Sequence, residues 1–144
     1  MPRVLEETTR PEIDRDHIVR RVDDWARRIN SLYGQIDEWL PAGWTADRKR
    51  TVRMHEELMR RLNVPARDLP VLDLSYQGKS SARIEPRGLW IIGANGRLDL
   101  LVGSRHYVII DSAENLEAPQ WQIAPLSKRQ EMQALNRETF ISVL

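Results

Sequence analysis

Between Ile18 and Trp39 the apolar residues Ile18, Val22, Trp25, Ile29, Leu32, Ile36 and Trp39 are separated by alternating steps of four and three. That is the heptad rhythm of an amphipathic helix. Val22, Ile29 and Ile36 share one core position, and Ile18, Trp25, Leu32 and Trp39 share the other. β-Branched residues at one position with Leu-like residues at the other suit a parallel two-stranded coil. Ala26, Tyr33 and Leu40 add a third apolar column, which is the pattern of a helix facing a globular core. A helix over 14–40 would span about 40 Å at ~1.5 Å per residue. A domain of this length has a radius of gyration of about 15 Å. Part of the apolar face is therefore expected to overhang and meet a second copy.

Pro41 stops this helix, and Ala42-Gly43-Trp44 makes a turn. Thr45 can cap a second helix running to about Leu62, with Val52, His55, Met59 and Leu62 as its buried stripe. The short connection predicts an antiparallel helical hairpin over 13–63. Residues 1–12 are expected to form a flexible arm. Thr9–Glu12 matches a capping box there, with Asp14 or Asp16 as the competing cap.

From Val71 the apolar period falls to two. Leu72, Leu74 and Tyr76 alternate with Asp73, Ser75 and Gln77, and Ala82 and Ile84 alternate with Arg83 and Glu85. Gly78-Lys79 and Pro86-Arg87 read as turns. Asn95-Gly96 between Leu89–Ala94 and Arg97–Val102 is the strongest short hairpin signal in the chain. Gly103-Ser104 suits a type II′ turn into Arg105–Asp111. The expectation is a five-stranded antiparallel meander over 71–124, with Trp121–Ile123 as a short sixth strand. Ser127–Gln130 matches a capping box and opens a C-terminal helical region over 127–144. The fold class expected is α+β: a single domain over 13–144 made of helical hairpin, β-meander and short C-terminal helix.

Two-residue turns at Asn95-Gly96 and Gly103-Ser104 fix a register. Ile92 then faces Asp99, Trp90 faces Leu101, Leu101 faces His106, Asp99 faces Val108 and Arg97 faces Ile110. One sheet face carries Leu89, Ile91, Leu98, Leu100, Val102, Tyr107 and Ile109, the core side. The other carries Trp90, Ile92, Leu101, Val108 and Ile110 around Arg97, Asp99 and His106. A face this apolar marks a partner site or a covering element. A carboxylate, an imidazole and a guanidinium brought together can orient a base or hold an anion. The blander reading is a modest ionic cluster on a partly covered sheet.

Composition narrows the classes. With 144 residues the chain can bury a core without staples, and 41% hydrophobic with 30% charged residues argues against disorder. It has no cysteine, so disulfides and Cys-ligated metal sites are excluded. No apolar stretch approaches the ~18 residues of a membrane span, and the first residues lack the apolar run of a signal peptide. A soluble, cytoplasmic setting is expected. Net charge is +1. It runs −2 over 1–40, +4 over 41–111 and −1 over 112–144, too mild an asymmetry for a nucleic-acid footprint.

Candidate chemistry is sparse. His55-Glu56 starts like a zinc-protease helix, but Met59 stands where the second ligand belongs. Asp73, Glu85, Asp99 and Asp111 fall on separate expected strands, with no lysine in a helpful place. No catalytic residue, metal site or cofactor is assigned. The expected function is a non-enzymatic protein–protein interaction module, a small homodimeric regulator or inhibitor-type protein binding itself or another protein through Trp25, Trp39, Trp90, Leu101 and Phe140. One alternative is a nucleic-acid-binding accessory protein using Arg48, Arg50, Arg53 and Arg60 on the second helix. The other is a small-molecule binder or hydrolase built on Arg97, Asp99 and His106.

Overall fold

A computed structural model describes residues 14–90, 95–114 and 116–144. The arm at 1–12 and the Thr9–Glu12 capping box lie outside the described residues. Helix α1, Arg15–Trp39, is capped by Asp14, whose side chain accepts from His17 N at 2.8 Å. It ends on an extended Leu40 just before Pro41. Ile18, Val22, Trp25, Ala26, Ile29, Leu32, Tyr33 and Ile36 are all buried, so its three columns face this domain's own core. The described part of α1 leaves no overhanging apolar seam.

The second long helix is not formed, and with it the helical hairpin falls. Residues 44–62 instead give strand β1 (Trp44–Asp47), strand β2 (Thr51–Met54) and one short helix, α2 (Glu57–Arg61). The stripe Val52–Leu62 has helical spacing, but Trp44/Ala46 and Val52/Met54 alternate inward with period two. Strand pairing satisfies them. β1 pairs with Leu72–Tyr76, and β2 pairs with Arg67–Pro70. Tertiary partners override weak local helix propensity here. Asn63, at φ 58°, ends α2 in the left-handed region that Asn tolerates.

The remaining strands are β3 (Arg67–Pro70), β4 (Leu72–Tyr76), β5 (Lys79–Gly88), β6 (Gly96–Val102), β7 (Arg105–Asp111), β8 (Trp121–Pro125) and β9 (Gln133–Ala134). Seven form one antiparallel sheet in the order β1-β4-β5-β6-β7-β8-β9, and β2-β3 form a second. The meander is therefore present in β4–β8, extended by a short strand at each edge. Its β4–β5 turn is Gln77-Gly78, with φ 49° and 82°, one residue earlier than expected. Gly103 at φ 59° makes the expected β6–β7 turn.

Two expected turns are absent. Pro86-Arg87 lies inside β5, where the register shifts between Pro86 and Gly88; a bulge accommodates a proline within a sheet. Asn95-Gly96 does not close a hairpin, because β6 pairs with β5: Asp99 faces Glu85 and Leu101 faces Arg83. Ile92, expected opposite Asp99, lies outside the described residues. Asn95 is recruited elsewhere. Its N–H donates to Asp111 O at 2.8 Å and its Nδ2 to Glu114 O at 3.1 Å. Gly96 lies under the ring of Trp25, where a Cβ would collide with it.

The core lies between α1 and the sheet face bearing Leu72, Leu74, Ala82, Ile84, Leu98, Leu100, Val102, Ile109 and Ile123. After β8 comes a kinked 3-10 segment, Leu126–Glu131, then β9, then helix α3 (Arg137–Val143). The working capping box is Asn136/Thr139, not Ser127–Gln130. Asn136 accepts from Thr139 N at 3.0 Å while Thr139 Oγ1 accepts from Asn136 N at 2.9 Å. α3 drives Phe140 into the core beside Trp39, their ring centroids 6.0 Å apart. Among the described residues no helix is long and apolar enough to cross a membrane.

Candidate functional site on the outer sheet face

Alternation along β5–β8 leaves one face away from α1. It carries Arg83, Glu85 and Arg87 on β5, Arg97, Asp99 and Leu101 on β6, His106, Val108 and Ile110 on β7, and Gln122 and Ala124 on β8. The register on this side agrees with the expectation: Leu101 faces His106, Asp99 faces Val108 and Arg97 faces Ile110. Val108 in turn faces Ala124.

Asp99 is the centre of this face. Its side chain is only 3% exposed. Arg97 Nε donates to Oδ1 at 2.8 Å, Arg87 Nε stands 3.3 Å from Oδ2, and His106 Nε2 stands 2.9 Å from Oδ2. The imidazole lies too far out of line for a hydrogen bond, so its contact is one of proximity. The β5 bulge is what brings Arg87 in, since an extra residue re-aims the side chain next to it. Val108 and Ala124, at 1% and 2% exposure, give the carboxylate a dry flank. A carboxylate with so little water must be paired to stay charged.

Ion pairs continue across the sheet. Arg83 Nε donates to Glu85 Oε1 at 3.0 Å. Arg50 makes a two-pronged bond to Asp73, at 2.8 and 2.6 Å. The bond from Arg50 holds the Asp73 carboxyl below its ordinary range. The face thus sets four guanidiniums (Arg50, Arg83, Arg87, Arg97) against three carboxylates (Asp73, Glu85, Asp99). Leu101 and Ile110 stay half-buried among them. A hollow of about 430 Å³ opens at one margin between Ser104–Tyr107 and Pro125–Ser127, beside the exposed Leu126. Asp111 belongs to the opposite side of the sheet. No cluster of three or more His, Asp or Glu side chains is placed to hold a metal among the described residues.

The expected site residues separate into three groups. Arg97, Asp99 and His106 converge on the outer face, with the Asp99 side chain buried beside Arg87, Arg97 and His106. Trp25 and Phe140 are core residues at 1% and 0% exposure, and Trp39 and Trp90 pack against that core half-buried. Trp90 is not opposite Leu101; its ring lies 5.9 Å from the Arg21 guanidinium. Only Leu101 of the expected partner residues lies on the outer face. The basic set is dispersed: Arg48 donates to Asn30 and Asp37, Arg50 to Asp73 and Arg60 to the His55 carbonyl, while Arg53 stands 3.7 Å from Asp68. No shared helix gathers them. His55 is exposed, not on a buried stripe, with Nε2 3.1 Å from Val64 O.

Two important features have no counterpart in the sequence reading. One is Arg87, which reads as a turn residue. The other is a buried staple in which Arg28 Nη1 donates to Asp111 Oδ2 at 2.6 Å and Nε to Asp24 Oδ2 at 2.5 Å, with Nη2 donating to the Glu117 carbonyl. Asp111 Oδ1 also accepts from Ala113 N at 3.0 Å and Gln120 N at 2.9 Å. The signal available was the charged pair Arg21 and Arg28, seven residues apart beside the apolar seam. Comparison with protein families, curated proteins and solved structures finds no match for this chain.

Proposed function

We propose that the protein is a non-enzymatic interaction module that pairs with a second copy of itself through the outer face of β5–β8. The observation carrying this reading is the mosaic around Asp99: half-buried Leu101 and Ile110 framed by cations and carboxylates in nearly equal number. A two-fold interface sets one patch against itself, so the patch must be self-complementary. A near-neutral face with both signs satisfies that. It offers little to a polyanion, which needs an excess of cations. Four strands about 4.8 Å apart, ten, seven, seven and five residues long and so about seven on average, give a planar footprint of roughly 450 Å². Projecting side chains enlarge the accessible area, which still falls at the low end of specific interfaces. The expected dissociation constant is therefore micromolar.

Light scattering over a concentration series tests this. The mass is expected to rise from 16.8 kDa toward twice that value through the micromolar range. Leu101→Glu, which replaces an apolar contact of the patch with a charged group, should hold it at the single-chain mass. A wild type that stays single at every concentration, or a Leu101→Glu variant that associates undiminished, overturns the proposal.

A second reading rests on the convergence of Arg87, Arg97 and His106, which can receive a small anion from the solvent side. Inorganic phosphate titrated against the His106 imidazole resonances separates the two. Saturable shifts in Leu101→Glu, which no longer associates, would favour the anion.

A further inference from the structure

The hollow of about 430 Å³ at the margin of the outer face lies where the β7–β8 ladder stops short. Its size falls within the range of small-molecule pockets. Antiparallel neighbours exchange backbone bonds at alternate residues. Ser112 N donates to Gln120 O at 2.9 Å, and the same register sets Ile110 opposite Gln122 and Val108 opposite Ala124. The even-numbered residues of β7 therefore turn their N–H groups toward β8. His106 is the next of that series, and its partner position is Leu126. β8 ends at Pro125, however, and Leu126 opens the 3-10 segment instead. Pairing stops at Tyr107–Pro125, so the His106 N–H is aimed past the end of β8 into the hollow, with no acceptor among the described residues.

Arg105 stands beside it. Its guanidinium spends one N–H on the Tyr107 hydroxyl at 3.2 Å, and among the described residues no carboxylate lies within ion-pair distance of it. None of the described residues lining the hollow is acidic. Pro125 and Leu126 form its apolar side, and Leu126 is 38% exposed. The hollow thus combines a backbone donor, a guanidinium without a carboxylate and an apolar wall.

We infer that this hollow binds a small monocarboxylate with an apolar tail. The carboxylate would accept from the His106 N–H and from the Arg105 guanidinium, and bonds to an ionised acceptor are the stronger kind. The tail would cover Leu126 and Pro125. An ammonium would meet Arg105 and leave both donors unanswered, and a tail-less anion would leave Leu126 in water. His106 serves here through its backbone, while its imidazole stays with Asp99. The inference therefore does not rest on self-association, nor on an anion held by Arg87 and Arg97.

Hexanoate, hexanamide and acetate form a matched probe set. Each is titrated into labelled protein while the His106 ¹⁵N–H peak and the Leu126 methyl peaks are followed, in wild type and in Leu101→Glu. Hexanoate is expected to move both sets of peaks saturably with one dissociation constant, the same in the two proteins. Hexanamide, which keeps the tail and lacks the charge, and acetate, which keeps the charge and lacks the tail, should each bind about tenfold more weakly. Arg105→Gln should weaken hexanoate about tenfold and leave hexanamide unchanged, a difference that a merely structural role for this exposed side chain would not produce. The comparison of hexanoate with hexanamide decides the matter without any variant. A His106 amide peak that does not saturate, equal binding of hexanoate and hexanamide, undiminished hexanoate binding in Arg105→Gln, or shifts confined to the Arg87 and Arg97 side chains overturns the inference.

Discussion

Gly96 is the position where a single methyl group is expected to do most damage. A Cβ there would lie 2.5 Å from Cζ3 and 2.7 Å from Cζ2 of Trp25, and against Cη2 as well. Ordinary carbon contacts are near 3.5–4.0 Å, so the ring or the strand must move by about 1 Å. Neither is free to do so. Trp25 is 1% exposed and backed by Trp121, their centroids 5.9 Å apart. Gly96 opens β6 by pairing with Asp111, which the Arg28 staple holds. Overpacking a tight core costs about 1–3 kcal/mol, and a rigid indole places Gly96→Ala at the upper end. With an unfolding entropy of ~2.1 cal/mol/K per residue, a loss of about 3 kcal/mol lowers the melting temperature by roughly 10 °C. Gly34→Ala is the control. It lies in α1 with nothing within 4 Å of the added methyl, and replacing a helical glycine gains about 0.8–1 kcal/mol. Urea unfolding followed by tryptophan fluorescence measures both. A double-mutant cycle with Trp25→Leu assigns the cost to the pair, because the penalty of Gly96→Ala should shrink once the ring is gone. A Gly96→Ala protein within about 0.5 kcal/mol of wild type, inside the ordinary range for surface changes, would refute the close packing of β6 under Trp25.

Asp111→Ala removes the acceptor of two backbone N–H groups and one partner of the buried Arg28, so a loss of about 3–5 kcal/mol is expected. Limited proteolysis within 112–120 should accelerate with it, and an unchanged digestion pattern would count against the staple. Tyr33 OH donates to Pro70 O at 2.8 Å, and burial pushes its pKa well above the ordinary phenol value. The folded state therefore keeps a proton that the unfolded chain releases above about pH 10, and stability should fall as pH rises beyond that point. Tyr33→Phe should flatten that alkaline fall, at a cost of about 1 kcal/mol near neutrality, both read from urea midpoints across pH.

Much of the fold was legible from the chain because it depended on local pattern. The 4-3 spacing of α1, the period of two from Leu72 and the Gly103-Ser104 turn each encode an element within a few residues. The errors arose where a distant partner outvoted local preference. Asn95-Gly96 has strong hairpin chemistry, yet Asn95 bonds Asp111 and Glu114, and Gly96 is a glycine because Trp25 covers it. Residues 44–62 carried both a helical stripe and an inward alternation, and pairing with β4 and β3 decided between them. The Arg97, Asp99 and His106 cluster was readable because the β6–β7 turn alone sets that register. Arg87 was hidden by the bulge, and the burial of Trp25 and Phe140 by a core larger than the heptad pattern suggested.

Self-association through the outer face is tested most directly by isotope-filtered NOE spectroscopy on a mixture of ¹³C-labelled and unlabelled protein above the association midpoint. Intermolecular NOEs are predicted at the Leu101 and Ile110 methyl groups and at the His106 ring. Intermolecular NOEs confined to Trp44 and Tyr76 at the β1 edge, or none at any concentration, would contradict the account.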